Sequence, residues 1–276
     1  MDERGSVSGE AEAIDRVDEP ATVDSLADDL RALGVSAGDT LLVHSSLSSI
    51  GWVAGAAQGV VEALQQVLTD AGTLVMPTHS PQFTDPAGWE HPPVPDDWVE
   101  VIRTERPPYR PDVTPTRGMG AIPECFRDYP GVVRSRHPEF SFAAWGAGAE
   151  AVVADHSFDD GLGEGSPLAR VYDRDGRILL LGVGHDRNTS LHLAEYRAAI
   201  ELGRISNRVR VVDEEGHVRW VAFEDIEVDS DDFDDLGAAY EAEVGLTVGS
   251  VGAAESRLVS QRAMVDYAVG WLESHR

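Results

Sequence analysis

Apolar and polar positions along this chain repeat with two periods, and the places where the period changes mark its elements. After Thr22, Leu26, Leu30 and Leu33 recur at helical spacing and Gly34 closes the run, which predicts a helix capped by Thr22. A Gly38-Asp39 turn leads into Thr40 to His44, an apolar run of strand length, followed at once by the loop Ser45-Ser46-Leu47-Ser48-Ser49-Ile50-Gly51. Val60, Val61, Leu64, Val67 and Leu68 then mark a second helix ending at Gly72, and Thr73 to Pro77 a second strand. Strand, Ser/Gly loop, helix, strand is the pattern of a βαβ unit with parallel strands, so the chain reads as α/β.

Residues 80–116 hold nine prolines and little periodicity, and read as a surface excursion with a substrate-covering role. Beyond them, a short helix is expected over 120–129, short strands over 132–134 and 141–145, and helix over 150–154. Residues 178–183 form the most apolar strand, running through Gly184-His185-Asp186-Arg187 into a helix over 189–195. Residues 209–212 and 218–223 flank Glu214-Glu215-Gly216 as a β-hairpin. The remainder, 233–243 and 253–271, reads as helix, and 224–235 is the one acidic block.

Charge sharpens this picture: 49 acidic residues face 22 basic ones, a formal net of −27, and no lysine occurs, so every cation but histidine is arginine. Such a surface repels nucleic acid and anionic lipid. Adaptation to molar salt (a halophilic source) explains it, and so does a cleft that gathers polycations; the two are compatible. No apolar run approaches the ~20 residues of a membrane span. Residues 1–21 read as a disordered acidic tail without the basic and apolar regions of a secretory signal, ahead of one domain over 22–276, which suggests a cytoplasmic protein. The lone Cys125 rules out an intrachain disulfide and a thiolate metal cluster.

Three places carry candidate chemistry. The serine loop Ser45–Ser49 offers hydroxyls and backbone amides to an anion, although it has neither the lysine nor the glycine spacing of a phosphate loop. His192 opens a helix just past the C-terminal edge of a buried strand, where open α/β sheets bind ligands. Its spacing to Glu195 puts both on one helix face, either as a metal-ligating pair or as a simple helix-face contact. Glu224, Asp225 and Glu227 follow the last hairpin strand, as a solvated face or as partners orienting His192. His44, His79, His137, His185 and Arg117 complete the polar set, and the absence of a G-x-S-x-G run at a strand-helix junction argues against a hydrolase.

Five runs in order, L-L-V-H-S-S-L-S-S-I-G from Leu41, G-T-L-V-M-P-T from Gly72, S-R-H-P-E-F-S-F-A-A-W-G from Ser135, G-S-P-L-A-R-V from Gly165 and L-L-L-G-V-G-H-D-R-N-T-S-L-H-L-A-E from Leu179, resemble the aminoglycoside 3-N-acetyltransferases from about residue 23 onward. The resemblance implies an α/β/α antibiotic-acetyltransferase fold with a mixed central sheet and flanking helices. It implies acetyl-CoA as the acetyl donor and the 3-amino group of a 2-deoxystreptamine aminoglycoside, a polycationic small molecule, as acceptor. It places CoA binding on Ser45, Ser46, Leu47, Ser48, Ser49 and Ile50, with His79, Arg117, Met119 and Gly120. It makes His192 the general base, with Asp225, Glu227 or Glu224 as its carboxylate partner. Separately, a lone His192–Glu195 pair without a third clustered ligand argues for no metal, and a homodimer is left open. Acylation of a different small amine, and a CoA-binding protein without catalysis, are the alternatives.

Overall fold

The βαβ unit expected near the start lies at the centre of a seven-stranded sheet in the computed structural model, which describes residues 10–90 and 92–276. Strands β1 (Thr40–Ser45), β2 (Thr73–Pro77) and β5 (Arg177–Leu181) run parallel, with β1 between the other two. Antiparallel strands extend both sides: β4 (Phe142–Gly146) and β3 (Val133–Arg134) beyond β2, and β9 (Ala254–Ser260) and β8 (Thr247–Val251) beyond β5. The sheet is therefore mixed, in the order β3-β4-β2-β1-β5-β9-β8.

Alternation along the central strands builds a core on each face. Leu41, Val43, Leu179 and Leu181 face one way, against α2 (Val23–Leu33), α4 (Ala56–Leu68) and α6 (Ala121–Phe126). Leu42, Ile178 and Leu180 face the other, against α7 (Ala149–Val153), α8 (Pro167–Asp173), α9 (Ser190–Arg197), α10 (Phe233–Glu243) and α11 (Gln261–His275). This is the expected α/β/α layering. Thr22 caps α2, its hydroxyl accepting from Ser25 N, and Gly34 ends it in the left-handed conformation.

The hairpin β6 (Arg204–Val212) and β7 (Val218–Ile226) is a separate two-stranded sheet. Val209, Val211, Val221 and Phe223 pack on Phe83 and Tyr109 of the proline-rich excursion. Tyr109 ties the two segments through its backbone, donating to Arg210 O (2.8 Å) and accepting from Val212 N (3.0 Å).

Several expectations change. Residues 10–15 are helical (α1), with Ala13 buried, Trp52 Nε1 donating to Glu10 Oε1 (3.1 Å) and Arg16 donating to Ser48 O (2.6 Å). The tail is thus ordered from residue 10, and its first nine residues lie outside the described ones. The excursion contains α5 (Asp96–Glu105), anchored by Arg103 on Asp85. The stretch expected as helix from residue 253 begins instead as β9, because it completes the ladder against β5, and helix starts only at Gln261. Among the described residues no helix is long and apolar enough to cross a membrane.

Candidate functional site

β1 leads to β2 on one side and lies against β5 on the other, so a crevice opens beyond the carboxyl ends of β1 and β5. A cleft of about 740 Å³ fills that position, lined by His44, Ser45, Ser46, Leu47 and Ser48, by Gly182–Gly184, by Met119 and Gly120, and by Asn188, Thr189 and His192. The serine loop turns tightly there into the one-turn helix α3 (Leu47–Ile50). Ser46 N donates to Leu181 O (3.0 Å), and the hydroxyls of Ser46, Ser48 and Ser49 form a chain at 3.1 and 2.9 Å. Gly182 sits at φ +70° with a would-be Cβ 2.6 Å from Ser49 Cβ, so only glycine lets the loop close onto β5.

His192 stands on the cleft wall in the first turn of α9, its side chain 15% exposed. Its Nδ1 lies 2.5 Å from Glu195 Oε2, one helical turn on, and the Glu195 side chain is wholly buried. A carboxylate accepts, so Nδ1 is the donor in this contact and Nε2 is left to other partners. Phe233 packs on the imidazole with ring centroids 4.8 Å apart. Glu195 Oε1 accepts from Asp229 N (3.1 Å) and from the Arg276 guanidinium. An imidazole oriented through one nitrogen by a buried carboxylate is equipped, in its neutral form, to take a proton at the other.

Two further histidines sit behind the first. His44, next to last in β1, is pushed down to about 3 by burial first and then by nearby His192. His79 is likewise held well below its ordinary value, first by burial and then by His192 and His44. Both are neutral near pH 7, and in each Nε2 is buried without a partner among the described residues.

A family model described as aminoglycoside 3-N-acetyltransferase matches residues 42–273. The chain belongs to that family. Among its relatives is the SPbeta prophage-derived aminoglycoside N(3')-acetyltransferase-like protein YokD of Bacillus subtilis, 47% identical over 91% of this chain and 92% of the relative. The crystal structure of YokD superposes with a TM-score of 0.93, covering 96% of this chain and 98% of that one at 43% identity. Aminoglycoside N(3)-acetyltransferase VII of Streptomyces paromomycinus is 36% identical over 94% of each chain. A solved structure of AAC-IIIb in a binary complex with CoASH has a TM-score of 0.83 at 32% identity, covering 93% of this chain and 97% of that one.

The residues anticipated from the resemblance to this acetyltransferase family divide in three. Ser45, Ser46, Leu47, Ser48, Met119, Gly120 and His192 do meet around one cleft. Ile50 does not: it is fully buried in the core between the sheet and α2. Ser49 supports the loop from behind, His79 is sealed edge-on between Phe140 and Phe142, and Arg117 is exposed outside the lining, its backbone N–H on His79 O.

The three carboxylates anticipated as partners of His192 do not reach it. β7 continues through Ile226, so Glu224 and Asp225 lie within the strand rather than after it. Alternation then sends Glu224 to solvent, 4.0 Å from Arg204, and turns Asp225 inward. Asp225 accepts from Tyr196 Oη, Gly161 N (2.9 Å) and Ile226 N (2.8 Å), and burial raises both its carboxyl and the Tyr196 phenol. Glu227 is exposed, its backbone N–H on Gly203 O. The partner is Glu195, whose sequence signal was the three-residue spacing that also suited a metal pair.

Proposed function

We propose that this protein is an acetyl-CoA-dependent N-acetyltransferase that acetylates the 3-amino group of a 2-deoxystreptamine aminoglycoside, with residues 22–276 acting as one catalytic domain. The observation that carries the chemistry is the contact of 2.5 Å between His192 Nδ1 and buried Glu195 on the wall of the serine-loop cleft. A relative of similar fold is described in complex with CoASH, and another, AAC-VIa, bound to sisomicin at a TM-score of 0.84.

An amine must lose a proton to become an acyl-transfer product. His192 Nε2 accepts that proton as the amine nitrogen bonds to the thioester carbonyl carbon, and Glu195 steadies the resulting imidazolium, a contribution typically worth ~10²- to 10⁴-fold. The tetrahedral intermediate then collapses: the C–S bond breaks, the amide forms, and the CoA thiolate leaves with its electron pair, taking a proton from the imidazolium. Donors of the Ser45–Ser48 loop line the cleft where the acetyl oxygen develops charge. Asp186, also on the lining, and the net charge of −27 favour a polycationic acceptor over an anionic one. The lysine-free, acidic composition further suits a cytoplasm of high salt.

The test is release of CoA thiol from acetyl-CoA in molar KCl, with 2-deoxystreptamine aminoglycosides, polyamines and amino sugars as acceptors, for wild type and His192→Ala. Turnover with aminoglycosides that collapses in the variant is expected, with the product acetylated at the 3-amino group. Turnover only with other amines would overturn the acceptor, and full activity in His192→Ala would remove His192 as the base.

A further inference from the structure

Glu195 is held from a place the family model does not reach. Arg276 lies three residues beyond the matched stretch, which ends at 273, and follows directly on α11. Its backbone N–H donates to Leu272 O (2.9 Å), carrying the helical bonding one residue past His275. Met264, Val265, Ala268 and Leu272 fasten α11 into the same core as Leu193 and Ala194 of α9, so the end of α11 arrives beside Glu195.

The Arg276 side chain is 14% exposed and every guanidinium nitrogen is used. Nε donates to Asp232 Oδ2 (2.8 Å), Nη2 to Asp232 Oδ1 (2.5 Å) and to Asp229 O (2.7 Å), and Nη1 to Glu195 Oε1. Asp232 therefore grips the planar group on two atoms and aims the third nitrogen at Glu195. Phe233, the next residue, touches both ends of this chain of contacts: its ring faces His192 at 4.8 Å and lies 5.9 Å from the Arg276 carbon.

We propose that Arg276, aimed by Asp232, is a positioning residue for acyl transfer, fixing the Glu195 carboxylate so that its other oxygen orients His192. A carboxylate removed from water needs donors on both oxygens. Here Oε2 has only His192, while Oε1 has Arg276 and the Asp229 amide. Without the guanidinium, the Asp229 amide alone holds Oε1, and Glu195 can turn from a base whose usefulness depends on fractions of an ångström.

This inference rests on His192 being the base, and the test separates the two. Steady-state kinetics would compare wild type with His192→Ala, Glu195→Gln, Arg276→Gln, Arg276→Lys and the Glu195→Gln/Arg276→Gln double variant, each normalised to folded protein by equilibrium binding of acetyl-CoA. Arg276→Gln is expected to lower kcat on the order of 10- to 100-fold with little change in acetyl-CoA affinity, because a small misplacement of a catalytic group is costly. Arg276→Lys should recover part of that loss, since it restores the charge but not the planar fork. The double variant should be no worse than Glu195→Gln alone. Should Arg276→Gln not fold, the Asp232→Asn variant, which loosens the grip on the guanidinium and leaves Glu195 its donor, should lower kcat by a smaller factor. Kinetics unchanged in Arg276→Gln, or in Asp232→Asn where Arg276→Gln does not fold, or losses that multiply in the double variant, would overturn the inference while His192→Ala remains dead. An active His192→Ala would instead defeat the underlying reading, and this inference with it.

Discussion

Replacing Glu139 with Gln should make the protein more stable, and by an amount that grows with pH. Glu139 lies in the turn between β3 and β4 and is 9% exposed. Its backbone N–H donates to His137 Nδ1 (3.2 Å), and Asn207 Nδ2 donates to its carboxyl (3.3 Å). Burial, and then the nearby Asp225, push the carboxyl from an ordinary 4.5 up to about 8. The neighbouring His137 is itself neutral, held at about 4 by burial, so no cation offsets the charge. The folded chain keeps this proton between pH 4.5 and 8 while the unfolded chain releases it. Folding stability from this group is therefore complete below pH 4.5 and is lost as pH rises through about 8. Over the whole window the loss amounts to about 5 kcal/mol, and between pH 5.5 and 8.5 to about 3 kcal/mol. Glutamine keeps the shape and an acceptor for Asn207 but has no proton to lose. Urea unfolding of both proteins across pH 5.5–8.5 at fixed salt should show Glu139→Gln gaining steadily on wild type, all other titrating groups cancelling. Parallel profiles, within about 0.5 kcal/mol, would refute the buried neutral acid.

Three other outcomes are expected. Glu195→Gln should lower kcat by ~10²-fold or more with acetyl-CoA binding kept, because Gln leaves the imidazolium without a counter-charge; unchanged kcat in stopped-time thiol-release assays would contradict this. His44 and His137, held at about 3 and about 4, and His79 and His156, held well below their ordinary value, stay neutral when folded, so the unfolded state alone binds protons below pH ~6.5. Stability is then full above that pH and falls on acidification by about 1.4 kcal/mol per pH unit for each histidine, partly offset by Glu139, and calorimetry in two buffers at pH 5.5 should detect proton uptake on unfolding. Gly146→Ala should cost about 2 kcal/mol or more and lower Tm, since φ is +97° and the added Cβ would lie 2.1 Å from Gly72 O; an unaltered Tm would mean that the β2–β4 edge yields more easily than its packing implies.

Much of the fold was legible because its signals are local. Leu41 and Val43 against Leu42 state which faces of β1 are covered, and Leu26, Leu30 and Leu33 state which stripe of α2 covers one of them. The serine loop and His192 were found for the same reason, each adjoining an apolar strand whose end becomes the cleft. β9 is not legible locally because it is strand only through pairing with β5, a partner about 80 positions away, and β8 is strand only through pairing with β9. α5 was hidden among prolines. Asp225 was misread by its place in an acidic block, since one further turn of the β7 ladder is invisible locally yet decides whether a carboxylate faces solvent or core.

Periodicity and residues adjacent in the chain suffice for the α/β class, the parallel centre, the cleft's serine loop and the helix bearing His192. Which carboxylate meets His192 is settled by the folded arrangement. Three acidic residues at the end of the hairpin and one at the next helical turn were all available, and the choice fell to Glu195 because the helix fixes its side chain beside His192. Asp229 and Arg276, distant in sequence, reach the other oxygen only when α11 packs on α9. A hydrogen bond depends on tenths of an ångström between side chains, and that distance is set by the packing of whole helices rather than by spacing along the chain.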